Sequence, residues 1–187
     1  MFLGKYSVEI TDQYDTVLSN LTVRCGYVGN VSLKLTKGQT YYIKITTNAD
    51  GYYKMQVDAF EDIAGNSWSA AAEIDSVGQL ISSIDADGDT DWFYFTTDNT
   101  DSFYDFNIEN ISGSSTMKMY LYEYVEGAGQ VPLRDTFNIS ASSSYTSEKL
   151  LKLKPNTKYY LCIYLNSGIG GYELDITQTR DGVGEVQ

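Results

Sequence analysis

The sequence predicts an all-β protein: an antiparallel, jelly-roll-like β-sandwich present in tandem, with an incomplete first copy. Three observations carry this. The 187 residues hold only 2 prolines against 16 glycines and 17 tyrosines, with abundant Thr, Ser, Val and Ile. Short runs of alternating apolar and polar residues recur between Gly, Asn, Asp and Ser clusters, as half-buried strands and their turns require. One stretch of the chain repeats at a fixed offset.

The alternating runs are Tyr6–Thr11, Val31–Leu35, Tyr41–Thr47, Tyr53–Val57, Trp92–Thr96, Phe103–Ile108, Met117–Tyr122, Tyr159–Leu165 and Tyr172–Thr177. One brief helix is predicted near Ser67–Glu73, where Asn66 or Ser67 can cap three alanines. It is too short to form a layer. Alternation places Trp92 and Tyr94 on one face of their strand and Phe93 and Phe95 on the other. In the same way Met117, Met119 and Leu121 oppose Lys118, Tyr120 and Tyr122, and Tyr159, Leu161, Ile163 and Leu165 oppose Tyr160, Cys162 and Tyr164.

The repeat spans Leu33–Tyr42 and Leu151–Tyr160, an offset of 118, and continues through Ile43/Leu161 and Ile45/Ile163. It then slips by one, so that Tyr53, Met55 and Val57 match Tyr172, Leu174 and Ile176. Both copies read as strand, tight turn, long strand, loop and closing strand. Residues 59–187 contain enough strands for a complete sandwich, whereas residues 1–58 match only its second half. The first segment is therefore expected to be the tail of a preceding domain, or a reduced domain completed by upstream chain.

Charge narrows the function. There are 25 acidic residues against 13 Lys plus Arg, giving a net charge of −12. No cationic footprint for nucleic acid is present, and attraction to anionic lipid is disfavoured. The absence of histidine removes Ser-His-Asp and Cys-His catalysis, and His-ligated zinc or haem, from this chain. No G-x-S-x-G elbow occurs, and the acids cluster without a pocket signature, so no enzyme is expected. Cys25 and Cys162 lie in alternating apolar contexts that predict two free, mostly buried thiols, although a disulfide cannot be judged from spacing. The opening residues carry no signal-peptide pattern, no stretch is long and apolar enough to span a bilayer, and the abrupt start suggests a piece of a longer chain.

The acidity is local. No Lys or Arg lies between Lys54 and Lys118, and 13 acids fall within Asp58–Glu109. At the centre stands Asp85-Ala86-Asp87-Gly88-Asp89-Thr90-Asp91-Trp92. Four aspartates at alternate positions repel one another unless solvent spreads them or a cation neutralises them. Ca²⁺, a hard ion taking six to eight oxygens in flexible geometry, suits such a turn. The spacing is not an EF-hand, since neither glycine nor a closing glutamate falls in register. A solvated acidic turn before a buried strand is the plain alternative.

The succession Asn66-Ser67, Ala70-Ala71, Gly78, Ile81 and Asp85–Phe95, followed by Leu153–Leu161 and Gly171–Leu174, resembles the bacterial pre-peptidase C-terminal domain. The collagen-binding modules of clostridial collagenases belong to the same group. The resemblance covers about residues 60–178. It implies a non-catalytic, calcium-binding accessory module of a secreted or cell-surface protein that assists binding of a protein or polysaccharide polymer. The alternative is a structural spacer that meets only neighbouring domains. Carried over residue by residue, the turn's ligands are Asp87, Asp89 and Asp91, with Asp85 nearby. Glu61, Asp62 and Asn66 stand in the leading segment, where Ile63-Ala64-Gly65 departs from the family pattern by separating the acids from Asn66. The collagen-binding relatives use exposed tyrosines on one sheet, which points to Tyr120, Tyr122, Tyr160 and Tyr164. Asp91, beside Trp92, has a second reading as a structural acceptor within the turn.

Overall fold

A computed structural model describes residues 4–48, 50–112, 115–139, 144–146 and 151–180. The chain forms two compact units, Met1–Ala59 and Phe60–Gln187.

The first unit is a three-stranded antiparallel sheet of β1 (Lys5–Asp12), β2 (Val17–Arg24) and β3 (Tyr41–Thr47), in the order β2-β1-β3. Strands expected at Val31–Leu35 and Tyr53–Val57 do not form. The reason lies in their counterparts in the second unit, each of which draws its ladder from earlier strands. Leu151–Leu153 pairs with a strand over Ser102–Asn110, and Tyr172–Ile176 lies between that strand and Gly78–Ile84. Among the described residues the first unit has no such partners, and an unpartnered strand leaves its backbone groups to water. The tight turn does recur. Gly38 has φ 80° and its counterpart Asn156 has φ 49°, both in the left-handed region that Gly and Asn tolerate. The Tyr41 hydroxyl accepts the Thr36 N–H at 2.9 Å, and the Tyr159 hydroxyl accepts the Lys154 N–H at the same distance.

The second unit is a sandwich. Its strands are β4 (Ala72–Glu73), β5 (Gly78–Ile84), β6 (Thr90–Thr96), β7 (Ser102–Asn110), β8 (Met117–Val125), β9 (Gly129–Ile139), β10 (Ser144–Thr146), β11 (Leu151–Leu153), β12 (Lys158–Leu165) and β13 (Gly170–Arg180). One sheet runs β10-β7-β13-β5 with β11 also on β7, and the other runs β4-β6-β12-β8-β9. The expected helix is a single 3₁₀ turn, Trp68–Ala70, whose N-cap Ser67 makes no side-chain capping bond. Ala72 and Glu73, given to that helix by their sequence, join β6 in the unit's short parallel pairing. Two reversals, through β5 in the opposite sheet, return the chain in its original direction.

On β6, β8 and β12, one of the two faces that alternation separates is the core. Phe93, Phe95, Met119, Leu121, Leu161 and Ile163 are fully buried between the sheets with Tyr104, Phe106, Ile108, Tyr172 and Leu174. Burying an aliphatic or aromatic side chain contributes roughly 1.5–3 kcal/mol each, so these two apolar layers supply the unit's cohesion. Cys162 is a buried free thiol and Cys25 a half-buried one. Pro132 lies in β9, an edge strand, where the missing N–H costs no ladder bond. Its pairing with β8 shifts register between Tyr120 and Leu121.

Candidate metal centre

The Asp-rich turn carries the chain from β5 in one sheet to β6 in the other, at one end of the core. Alternation along β6 turns Asp91 inward, in line with Phe93 and Phe95, and leaves it 1% exposed. An ionised carboxylate in that position needs partners. It finds them on the facing sheet: the Tyr172 hydroxyl donates to Asp91 Oδ2 at 2.5 Å, and Ser82 Oγ donates to the same oxygen at 3.5 Å. Tyr172 and Ser82 are paired across β13 and β5.

The leading segment is pinned to the turn by backbone. Gly65 and Trp92 exchange hydrogen bonds, N–H to carbonyl at 3.2 and 2.8 Å, in an antiparallel bridge. Ile63 N–H donates to Ser82 Oγ at 3.2 Å, and Ala64 N–H donates to Asp62 Oδ1 at 3.0 Å. The stretch Ile63-Ala64-Gly65 is thus what moors the segment. The result is a convergence of Asp62, Asp89 and Asp91, with one carboxylate oxygen from each within 4.8 Å of the others.

Asp89 Oδ1 accepts the Thr90 N–H at 2.8 Å, while its Oδ2 is buried with no hydrogen-bond partner among the described residues. Burial pushes the Asp91 carboxyl from the ordinary 3.8 up to about 7. The bond from Tyr172 works against that rise, and the neighbouring charges of Asp62 and Asp89 add to it. The donor set is all hard oxygen, one of them orphaned, in an enclosure of like charges. It suits a Ca²⁺ ion completed by main-chain carbonyls and water, and not a soft metal.

The other sequence candidates are placed differently. Asp87 Oδ1 accepts the Gly168 N–H at 2.8 Å, tying the acidic turn to the β12–β13 loop. Asp85 is half-buried just after β5, and Glu61 and Asn66 are exposed. Sequence reasoning missed Ser82, Tyr172 and Gly65. The available signals were a serine at a core-facing position of β5 and a closing-strand tyrosine that must satisfy its hydroxyl.

Gly65 is sterically obligatory here, because a Cβ at that position would stand 1.9 Å from the Ala70 carbonyl oxygen. Gly65→Ala should displace the segment carrying Asp62 and cost about 2–4 kcal/mol, since backbone must move. Chemical denaturation checks the stability. A Gly65→Ala variant as stable as the parent would contradict the mooring.

The outer face of the second sheet is aromatic. Tyr120 and Tyr164 stack with centroids 5.7 Å apart and hydroxyls 3.0 Å apart, and Trp92 lies 5.5 Å from Tyr122. Tyr160 sits among the rings of Trp68, Tyr94 and Tyr124 and is only 7% exposed. Tyr120, Tyr122 and Tyr164 are half-buried, whereas Trp68 and Tyr124 are exposed. Lys158 lies 4.0 Å above the Tyr94 ring.

No family model matches the chain, and no curated protein matches it. Among solved structures it is similar to the Yersinia pseudotuberculosis-derived mitogen, at 15% identity over 59% of this chain and 91% of that one, with a TM-score of 0.41. It is similar to PirA at 9% identity over 53% and 93% of the two chains, TM-score 0.41. It is also similar to the pre-peptidase C-terminal domain of a collagenase from Bacillus anthracis, at 24% identity over 57% of this chain and 93% of that domain, TM-score 0.42. The family that the sequence resembles is therefore also represented among the chain's structural neighbours.

Proposed function

We propose that this protein is a non-catalytic, calcium-binding accessory module of a secreted or cell-surface protein. The convergence of Asp62, Asp89 and Asp91, with a buried Asp89 oxygen that has no hydrogen-bond partner among the described residues, carries the reading. The ion would be held by those three carboxylates and would lock the leading segment onto the turn between the sheets. Glu61, Asn66, Asp85 and Asp87, the remaining candidates from the sequence, would hold water or the outer coordination sphere. Calcium here is structural: it cancels repulsion that the fold itself creates.

Free calcium at one hundred times its dissociation constant adds about 2.7 kcal/mol to the stability of a protein that binds only when folded. A clear rise in melting temperature is expected, smaller with magnesium, whose octahedral shell dehydrates reluctantly. Ionic strength must be held fixed, because screening alone stabilises an acidic protein. Asp89→Ala should remove the increment, whereas Asp101→Asn, an exposed partner of Lys152 at 3.3 Å, should keep it. Equal increments in the two variants would reduce calcium to general screening.

The aromatic face supports contact with a polymer, protein or polysaccharide, because flat rings gain by stacking and bury large areas. Trp92, Tyr120, Tyr122 and Tyr164 are the proposed contacts, with Tyr160 a supporting ring beneath Trp68 and Tyr124. Cosedimentation with insoluble polymers tests this. Tyr122→Ala and Tyr164→Ala should each cut the bound fraction several-fold; polymers that bring down none of the parent protein would leave the spacer reading in its place.

A further inference from the structure

The first unit reproduces the pairing register of half of the second. Strand β3 matches β12 at an offset of 118, and their partners β1 and β8 match at an offset of 111. Val8 faces Ile45 as Met119 faces Ile163; Ile10 faces Ile43 as Leu121 faces Leu161; Asp12 faces Tyr41 as Glu123 faces Tyr159. The hairpin β1–β2 then stands where β8–β9 stands. What differs is the other side. In the second unit β12 also pairs with β6, and its inner face is covered by the opposing sheet. Among the described residues β3 pairs only with β1.

Residues that are core in the second unit are exposed in the first. Ile43 is 41% exposed against 0% for Leu161, and Leu35 is 49% against 2% for Leu153. Tyr53 is 61% against 0% for Tyr172, and Val57 is 70% against 2% for Ile176. On the opposite face Glu9 and Lys44 pair at 3.4 Å where the second unit has Tyr120 and Cys162. The unmet core positions are thus Ile43 on the edge strand β3 and Leu35, Tyr53 and Val57 in segments that form no strand. That is the surface left when the first half of a sandwich is subtracted.

We infer that the open edge of β3 and the apolar face of β2-β1-β3 receive a complementing half-domain, a polypeptide with the strand chemistry of residues 60–116. Its β6-like strand adds antiparallel to β3, placing its Phe93 equivalent opposite Ile43, as Phe93 stands opposite Leu161. Its remaining strands pair with Leu33–Leu35 and Tyr53–Val57, segments that form no strand here. A second copy of this chain is the wrong occupant, because its own residues 60–116 are already built into its second unit. The recognition is β-augmentation combined with core completion.

The test is a full chain in which residues 60–116 are duplicated directly ahead of Tyr6, so that Tyr6 takes the place of Met117. Amide hydrogen exchange should slow in residues 41–47 and 53–57 by about two orders of magnitude relative to the parent chain. Ile43→Asp in that fusion should abolish the protection. The parent chain should be monomeric by light scattering, with residues 41–47 exchanging fast. An insoluble fusion, unchanged exchange in it, or a parent monomer with β3 already protected would each overturn the inference. A parent dimer with protected β3 would assign the site to a second copy, and would overturn it equally.

Discussion

Asp91→Asn should make the metal-free protein more stable at pH 8 while abolishing its calcium response. At that pH the Asp91 carboxylate is ionised inside the fold, where burial and two neighbouring aspartates oppose its charge. An amide keeps an oxygen to accept from Tyr172 and carries no charge, so a gain of about 1–3 kcal/mol is expected. Asp91→Ala separates the residue's two roles. At pH 5 the folded wild type holds Asp91 protonated while the unfolded chain has already released most of that proton, so the gain from Asp91→Asn should be smaller there than at pH 8 but not absent. Asp91→Ala, which leaves the buried Tyr172 hydroxyl without an acceptor, should cost about 1–3 kcal/mol. Thermal melts of three proteins at two pH values decide the matter. An Asp91→Asn protein less stable than wild type at pH 8 would mean that Asp91 is held by something other than its repulsive neighbours.

The same carboxyl sets an unusual pH dependence. Its folded-state value, about 7, lies above the 3.8 of an ordinary aspartate. Between those values the folded protein holds a proton that the unfolded chain has released. Asp91's contribution to stability is therefore complete below pH 3.8 and is lost as pH rises through 7, by at most about 1.4 kcal/mol per pH unit. Asp105, raised by burial, acts in the same sense, whereas Asp12 acts in the opposite one, held below its ordinary value mainly by the backbone N–H of Thr16. The difference between wild type and Asp91→Asn isolates the effect. Saturating calcium should flatten that difference curve, because the ion takes the proton's place. Near pH 6 calcium should release up to one proton per ion, falling to none at pH 9, a quantity measured by calorimetry in buffers of different ionisation enthalpy. A proton count independent of pH would place the ion away from Asp91.

Much of this was legible in the residues. Alternation sorted the two faces of β6, β8 and β12 correctly, because aromatic and aliphatic residues there follow the pleat without interruption. It failed where a core position is polar for a reason. Strand β5 places Ser82 inward, where an apolar residue is expected, because that hydroxyl serves both the Ile63 N–H and Asp91. Strand β9 was hidden by Pro132, which only an edge position tolerates. The runs at Val31–Leu35 and Tyr53–Val57 carry strand patterns without strands, since a pattern records a face but not the presence of a partner. At the candidate site, Asp89 and Asp91 could be read from the turn. Asp62 is named only by the resemblance, alongside Glu61 and Asn66; nothing in the spacing singles it out, because the Gly65–Trp92 bridge depends on close backbone packing beside Ala70 that spacing does not reveal.

Calcium titration of the metal-stripped wild-type protein by isothermal calorimetry, at fixed ionic strength and pH 7.5, tests the central claim most directly. The geometry predicts a saturable heat with one ion per chain below millimolar calcium, within the range of extracellular calcium modules, and its loss in Asp89→Ala. No saturable heat at millimolar calcium, or a heat that persists unchanged in Asp89→Ala, would contradict it and leave the tract a solvated acidic turn.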